Sequence, residues 1–109
     1  MLKKAAIFLF ILLVSSFGWA LAQGEVTATV MIDLNMRDAP SQSGAVIAKI
    51  PVQTSVVVEG RNNGETWLLV HTSDGALRGW MAIQYLQFDQ AISIRNLPDR
   101  TGIDLNAPL

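Results

Sequence analysis

From residue 23 onward the sequence predicts an all-β fold, a small barrel of about five short strands. Three observations predict it. Turn-forming clusters recur about every eight to twelve residues. The segments between them are short, rich in Val, Ile and Thr, and alternate in polarity with period two. No stretch of this region carries apolar residues at helical spacing.

Ahead of the barrel, residues 1–22 read as a signal peptide. Lys3 and Lys4 form a positive n-region, Ala5 to Val14 is an unbroken apolar h-region, and Ala20-Leu21-Ala22 is a cleavage site. The mature chain is therefore expected to start at Gln23. The alternative is an uncleaved N-terminal membrane anchor. The apolar run is ten residues long, short of the ~20 that a spanning helix needs, and Ser15, Ser16 and Gly18 break its continuation. Cleavage is the expected outcome, with no stable membrane insertion afterwards and an extracellular or periplasmic location. The sequence has no Cys, so the protein is not a lipoprotein and has neither disulfides nor thiolate chemistry. About 87 residues remain, enough for one domain held by its own core.

The elements come in order along the chain. Glu25 to Met31 is rich in Val and Thr and suits a pleated surface. Leu34 and Met36 alternate with Asn35 and Arg37, which implies one buried and one wetter face. Pro40 to Gly44 has turn chemistry. Val46, Ala48 and Ile50 lie at period two, and Pro51 ends that strand. Ser55 to Glu59 is a further β-branched run, and Asn62-Asn63-Gly64 is a hairpin-type turn, since Asn and Gly tolerate positive φ. Trp67 to His71 is the return strand, Ser73-Asp74-Gly75 turns again, and Leu77 to Met81 completes the set. The barrel thus spans residues 23–86.

Residues 87–109 form a C-terminal extension that admits two readings. Ile92 to Gly102 can be laid on Leu34 to Gly44 with Arg, Pro and Gly coinciding, as if a second repeat began there. Otherwise Ala91 to Arg95 is an extra strand packed on the barrel. A lone repeat fragment cannot bury its apolar face, so the extension is preferred, with residues 102–109 frayed.

Composition narrows the chemistry. Of eight basic residues, Lys3 and Lys4 belong to the leader, which leaves six scattered cations against nine acids. No cation cluster suits a nucleic acid. His71 is the only histidine, stands at a strand end, and has no nucleophile cued beside it; it is read as a strand residue. One His without Cys falls short of a zinc site, the acids are dispersed, and Asp33 to Asp38 lacks calcium-loop spacing. Each Gly is a single turn former, with no phosphate loop. The protein is expected to be no enzyme and to carry no cofactor and no metal.

Two signatures bracket the barrel. Leu34-Asn35-Met36-Arg37-Asp38-Ala39-Pro40-Ser41 opens it, and Arg78-Gly79-Trp80-Met81 with Tyr85-Leu86 closes it. Pro51, a valine-rich run, the Asn62 turn and Trp67 to Val70 lie between. In this order the chain resembles the bacterial SH3 (SH3b) family, which opens on L-N-V-R-x-x-P-S and closes on G-W-V with an aromatic-leucine pair. The likeness runs from Val26 to Leu86. Met36 and Met81 stand where the family has valines, and both are flexible gap-fillers that a core accommodates. The resemblance implies an SH3-like barrel with a shallow peptide groove shaped by Trp67, Trp80 and Tyr85, and with Arg37 and Asp38 at the loop entrance. Trp80, beside a Gly that admits close backbone approach, is read as a core pillar. Trp67 comes directly after a polar turn and is the better contact residue. Tyr85 either stacks at the groove edge or caps the barrel. Asn35 and Arg37 can also satisfy carbonyls of their own loop.

The expected function is an exported, non-catalytic binding domain that recognises a cell-wall peptide or an extracellular or periplasmic protein segment. With two Trp and one Tyr after the leader, the aromatic surface is small, and a single site is expected to bind weakly. Family members are often appended to wall hydrolases; this chain has no room for one and would assist one as a separate subunit. The alternative is a structural or assembly protein whose barrel edge or C-terminal strand, with alternating Ile92 and Ile94, adds to a partner's sheet. The sequence leaves the oligomeric state open.

Overall fold

In the computed structural model, residues 24–109 are described. The expected signal peptide lies outside them. The strands are β1 (Val26–Val30), β2 (Leu34–Arg37), β3 (Val46–Ile50), β4 (Ser55–Arg61), β5 (Trp67–Thr72), β6 (Arg78–Ala82) and β7 (Leu86–Phe88). One-turn 3-10 segments occupy Ile83–Tyr85 and Ile94–Asn96, and no α-helix occurs among the described residues. The strands form one sheet in the order β3-β2-β6-β5-β4-β1-β7, and every neighbouring pair is antiparallel.

The connection from β1 to β2 forces this sheet to curl. Val30 and Leu34 are four residues apart, a reach of at most about 14 Å. In sheet order β1 and β2 lie four strand steps apart, about 19 Å in a flat sheet. Only a closed, barrel-like curvature brings them together. Residues from strands far apart in the order accordingly share one apolar core: Ala28 and Val30 of β1, Leu34 and Met36 of β2, Leu68 and Val70 of β5, and Met81 of β6. Gly79 is required at its place. A Cβ there would lie 2.6 Å from Met36 Cγ and 2.7 Å from the Arg37 carbonyl oxygen.

The all-β barrel is thus present, with seven strands where the sequence suggests about five. The addition includes β7, which the 3-10 turn after β6 delivers to the free edge of β1, pairing Val30 with Leu86 and Ala28 with Phe88. The extra strand expected at Ala91–Arg95 is not formed. Ile92 packs against the core, Ile94 enters a 3-10 turn, and Leu97 is buried, so this stretch inserts side chains rather than extending a ladder.

Nor is the end of the chain frayed. Residues 98–109 run as a strap across the outer face of β4, β5 and β6. Arg61 N–H donates to the Pro98 carbonyl at 2.9 Å, Arg100 N–H donates to the Arg61 carbonyl at 2.8 Å, and Asn63 N–H donates to Thr101 Oγ1 at 2.8 Å. Arg61 and Asp99 form a parallel bridge. A register shift between Val58 and Gly60 turns both Glu59 and Gly60 toward this strap. Gly60 allows the approach, because a Cβ there would sit 2.6 Å from the Pro98 carbonyl oxygen and against Arg100 Cγ.

Candidate functional site

Strand alternation places Trp67, Leu69 and His71 of β5 on the outer face, opposite Ala82, Trp80 and Arg78 of β6. Leu69 and Trp80 are nevertheless buried on that face. The loop 38–45 reaches its Trp67 end through Gln42, and the strap crosses its other end. Trp80 is therefore a pillar as expected from the sequence, but one standing outside the barrel's main core.

Trp67 is half-buried and separates two shallow hollows. On one side, Glu65, Ile83 and Gln84 border a hollow of about 310 Å³. On the other, Asp33, Asn35, Arg37, Lys49 and Tyr85 border one of about 250 Å³. Gln42, Trp67 and Ala82 line both. The turn before β5 fixes the main chain at Trp67. Asn62 Oδ1 accepts from the N–H groups of Thr66 (2.8 Å) and Trp67 (2.9 Å), and Asn62 N–H donates to the Trp67 carbonyl at 3.1 Å. The left-handed residue of this turn is Glu65 (φ 57°), not one of Asn62, Asn63 or Gly64, whose composition suggests it. Asn62 instead acts through its side chain.

The structure brings Trp67, Tyr85 and Arg37 to one hollow and leaves Asp38 out of it. Asp38 closes its own loop, its N–H donating to the Ala45 carbonyl at 2.9 Å and its Oδ1 accepting from Ala45 N–H at 2.8 Å. Arg37 Nη1 donates to the Gly44 carbonyl at 2.9 Å, so it braces the same loop while lining the groove. Lys49, Asp33, Gln42 and Glu65 join the site without having stood out in the sequence. Lys49 has a legible signal: it lies directly across the ladder from Asn35, at the polar phase of β3.

A second constellation lies beyond Leu69. Glu59 accepts from Arg78 Nη2 at 2.6 Å, Arg78 Nε at 2.9 Å and His71 Nδ1 at 2.9 Å. Arg78 Nη1 also donates to the strap carbonyls of Leu105 (3.2 Å) and Ala107 (2.7 Å). Burial pushes the Glu59 carboxyl up. The hydrogen bonds and charges of Arg78 and His71 outweigh it and hold the group below its ordinary value of 4.5. His71 is thus a partner of a structural ion cluster that ties β4, β5, β6 and the strap together. Among the described residues no group of three or more His, Asp or Glu is arranged to hold a metal ion.

Set against known families, the chain matches the model of the bacterial SH3 domain over residues 32–87, more than half of its length. No curated protein and no solved structure matches.

Proposed function

Because the chain belongs to the bacterial SH3 domain family, a family of binding modules, we propose that it is an exported, non-catalytic module that recognises a cell-wall peptide or an extracellular or periplasmic protein segment. The observation that carries this reading is the position of Trp67. It is a large aromatic on the outer face, its main-chain N–H anchored to Asn62 Oδ1, and it lines two neighbouring hollows. An extended peptide laid across it would press its side chains into the two hollows, with Tyr85 as the second aromatic wall. The test is Trp67→Ala, read as a thermal midpoint and as sedimentation with purified cell walls. The midpoint is expected to hold and sedimentation to fall, since an exposed aromatic anchor commonly contributes ~2 kcal/mol or more to binding. A collapsed midpoint would make Trp67 a structural residue. An unchanged sedimentation would remove the groove from the account.

The assembly reading keeps its barrel-edge form. The end strands β3 and β7 each pair on one side only, and β3 also exposes Val46 and Ile47, so strand addition would favour β3 over Ile92 and Ile94. Concentration-dependent oligomers on sizing, abolished by Ile47→Lys, would support it.

A further inference from the structure

The groove is electrically polarised across Trp67, and that polarity points to the chemistry of its occupant. From residue 24 onward the chain is acidic, with nine Asp and Glu against six Arg and Lys. Its cations are not evenly used. Arg78 is neutralised by Glu59. Arg37 and Lys49, by contrast, border the same hollow and form no ion pair among the described residues. Arg37 spends one N–H on the Gly44 carbonyl. Asp33 borders the same hollow, its Oδ1 accepting from Val52 N–H at 2.9 Å, and offsets one of the two cations, which leaves one net positive charge. Asn35 faces Lys49 across the ladder and adds an amide beside them. This hollow is therefore a cationic notch with an aromatic wall. The hollow on the far side of Trp67 is bordered by Glu65, which also forms no ion pair among the described residues.

We propose that the groove takes a short peptide bearing both charges: a free C-terminal carboxylate seated between Arg37 and Lys49, and an amino group directed at Glu65, with small apolar residues crossing Trp67. This deepens the binding-module reading and rests on it. The arrangement favours a peptide over an anionic polymer. A polyanion gains affinity from cations that track its length, whereas here two cations give way, one indole further on, to a carboxylate. The planar guanidinium of Arg37 suits a carboxylate, and the Lys49 ammonium adds an orientation-tolerant charge.

The probe is the tripeptide Lys-Ala-Ala, offered as the free acid, as its C-terminal amide and as its Nα,Nε-diacetyl form. Binding to the mature protein is monitored through the indole N–H signal of Trp67. The free acid is expected to move that signal, amidation to weaken binding at least fivefold, and diacetylation to weaken it severalfold. Lys49→Gln, at an exposed position, should weaken the acid, by less than amidation because Arg37 remains, and leave the amide unaffected. Glu65→Gln should act in the same way on the free and the acetylated amine. An amide that binds as well as the acid overturns the inference, as does a Lys49→Gln effect equal for both. Tighter binding of polyglutamate than of the tripeptide would show a polyanion surface and overturn it too. If no tripeptide moves the signal while Trp67→Ala still abolishes wall sedimentation, the polarity inference falls and the groove stands. If Trp67→Ala also leaves sedimentation unchanged, the groove falls with it.

Discussion

Arg78 is the side chain whose loss should reach furthest. It is 9 % exposed and makes four hydrogen bonds, two to the Glu59 carboxylate and two to strap carbonyls. Arg78→Met keeps most of the apolar stem and removes the guanidinium. Hydrogen bonds to charged groups contribute ~1.5–3 kcal/mol each, but four made by one planar group do not add. The better measure is the ~3–5 kcal/mol for breaking a buried ion pair, taken at its low end because Glu59 retains His71 and some water. A loss of about 3 kcal/mol is expected in urea denaturation at pH 7. Much of it is the cost of a stranded carboxylate, so Glu59→Gln/Arg78→Met should be more stable than Arg78→Met alone, by ~1 kcal/mol. The pH dependence supplies the sign. Glu59 is held below 4.5 in the folded chain, so its contribution is complete above about 4.5 and is lost as the pH falls through the lower folded value. The gap between wild type and Arg78→Met should close over that interval. A gap under about 1 kcal/mol at pH 7, or one that stays constant down to about pH 2, would refute the reasoning.

Three further outcomes are expected. Trp80→Ala should cost ~3–5 kcal/mol in chemical denaturation, as for other buried aromatics, and a loss below about 1 kcal/mol would show that loop and strap collapse to fill its place. Gly60→Ala should lift the strap off β4 by collision with the Pro98 carbonyl and Arg100, costing ~1–3 kcal/mol and accelerating exchange of the Arg61 and Arg100 amides while the β5–β6 amides stay protected. Protein secreted by an exporting host should have an intact mass that starts within a residue or two of Gln23; a mass retaining Met1 to Ala22 would replace the exported reading with a tethered one.

Where chemistry is local, the sequence is readable. Leu34 and Met36, and Leu68 and Val70, lie at period two and are buried, and Trp67, at the opposite phase after a polar turn, is left half-exposed. Gly79 beside Trp80 announces a close backbone approach, and the approach is there. What escapes a sequence reading depends on contacts distant in the chain. Glu59 and Arg78 are 19 residues apart and meet across β5, on strands whose order no local pattern announces. Asn62 has the composition of a φ-permissive turn former and instead works through its side chain, while Glu65 carries the left-handed conformation. Residues 102–109 of the strap read as frayed because their Pro- and Gly-containing composition is that of a loose terminus. The strap's order comes from backbone groups bonded to Arg61 and Arg78 and from the Thr101 hydroxyl bonded to Asn63 N–H, partners it gains only after the barrel has formed.

Such a strap also gives the molecule a mechanical hierarchy. A pull applied at Leu109 would load the Arg78 contacts with Ala107 and Leu105 first, then Thr101 with Asn63, then Arg100 and Pro98 with Arg61. These attachments stand in sequence along the pulled segment, so they would give way one at a time at low force. The antiparallel ladders joining β1, β4, β5, β6 and β2 are not on that load path until the strap is gone. Release of residues 98–109 would free about 40 Å of chain contour before the barrel itself bears tension. The C-terminal segment would act as a compliant lead, and the groove at Trp67 would keep its shape while the chain beyond it is strained.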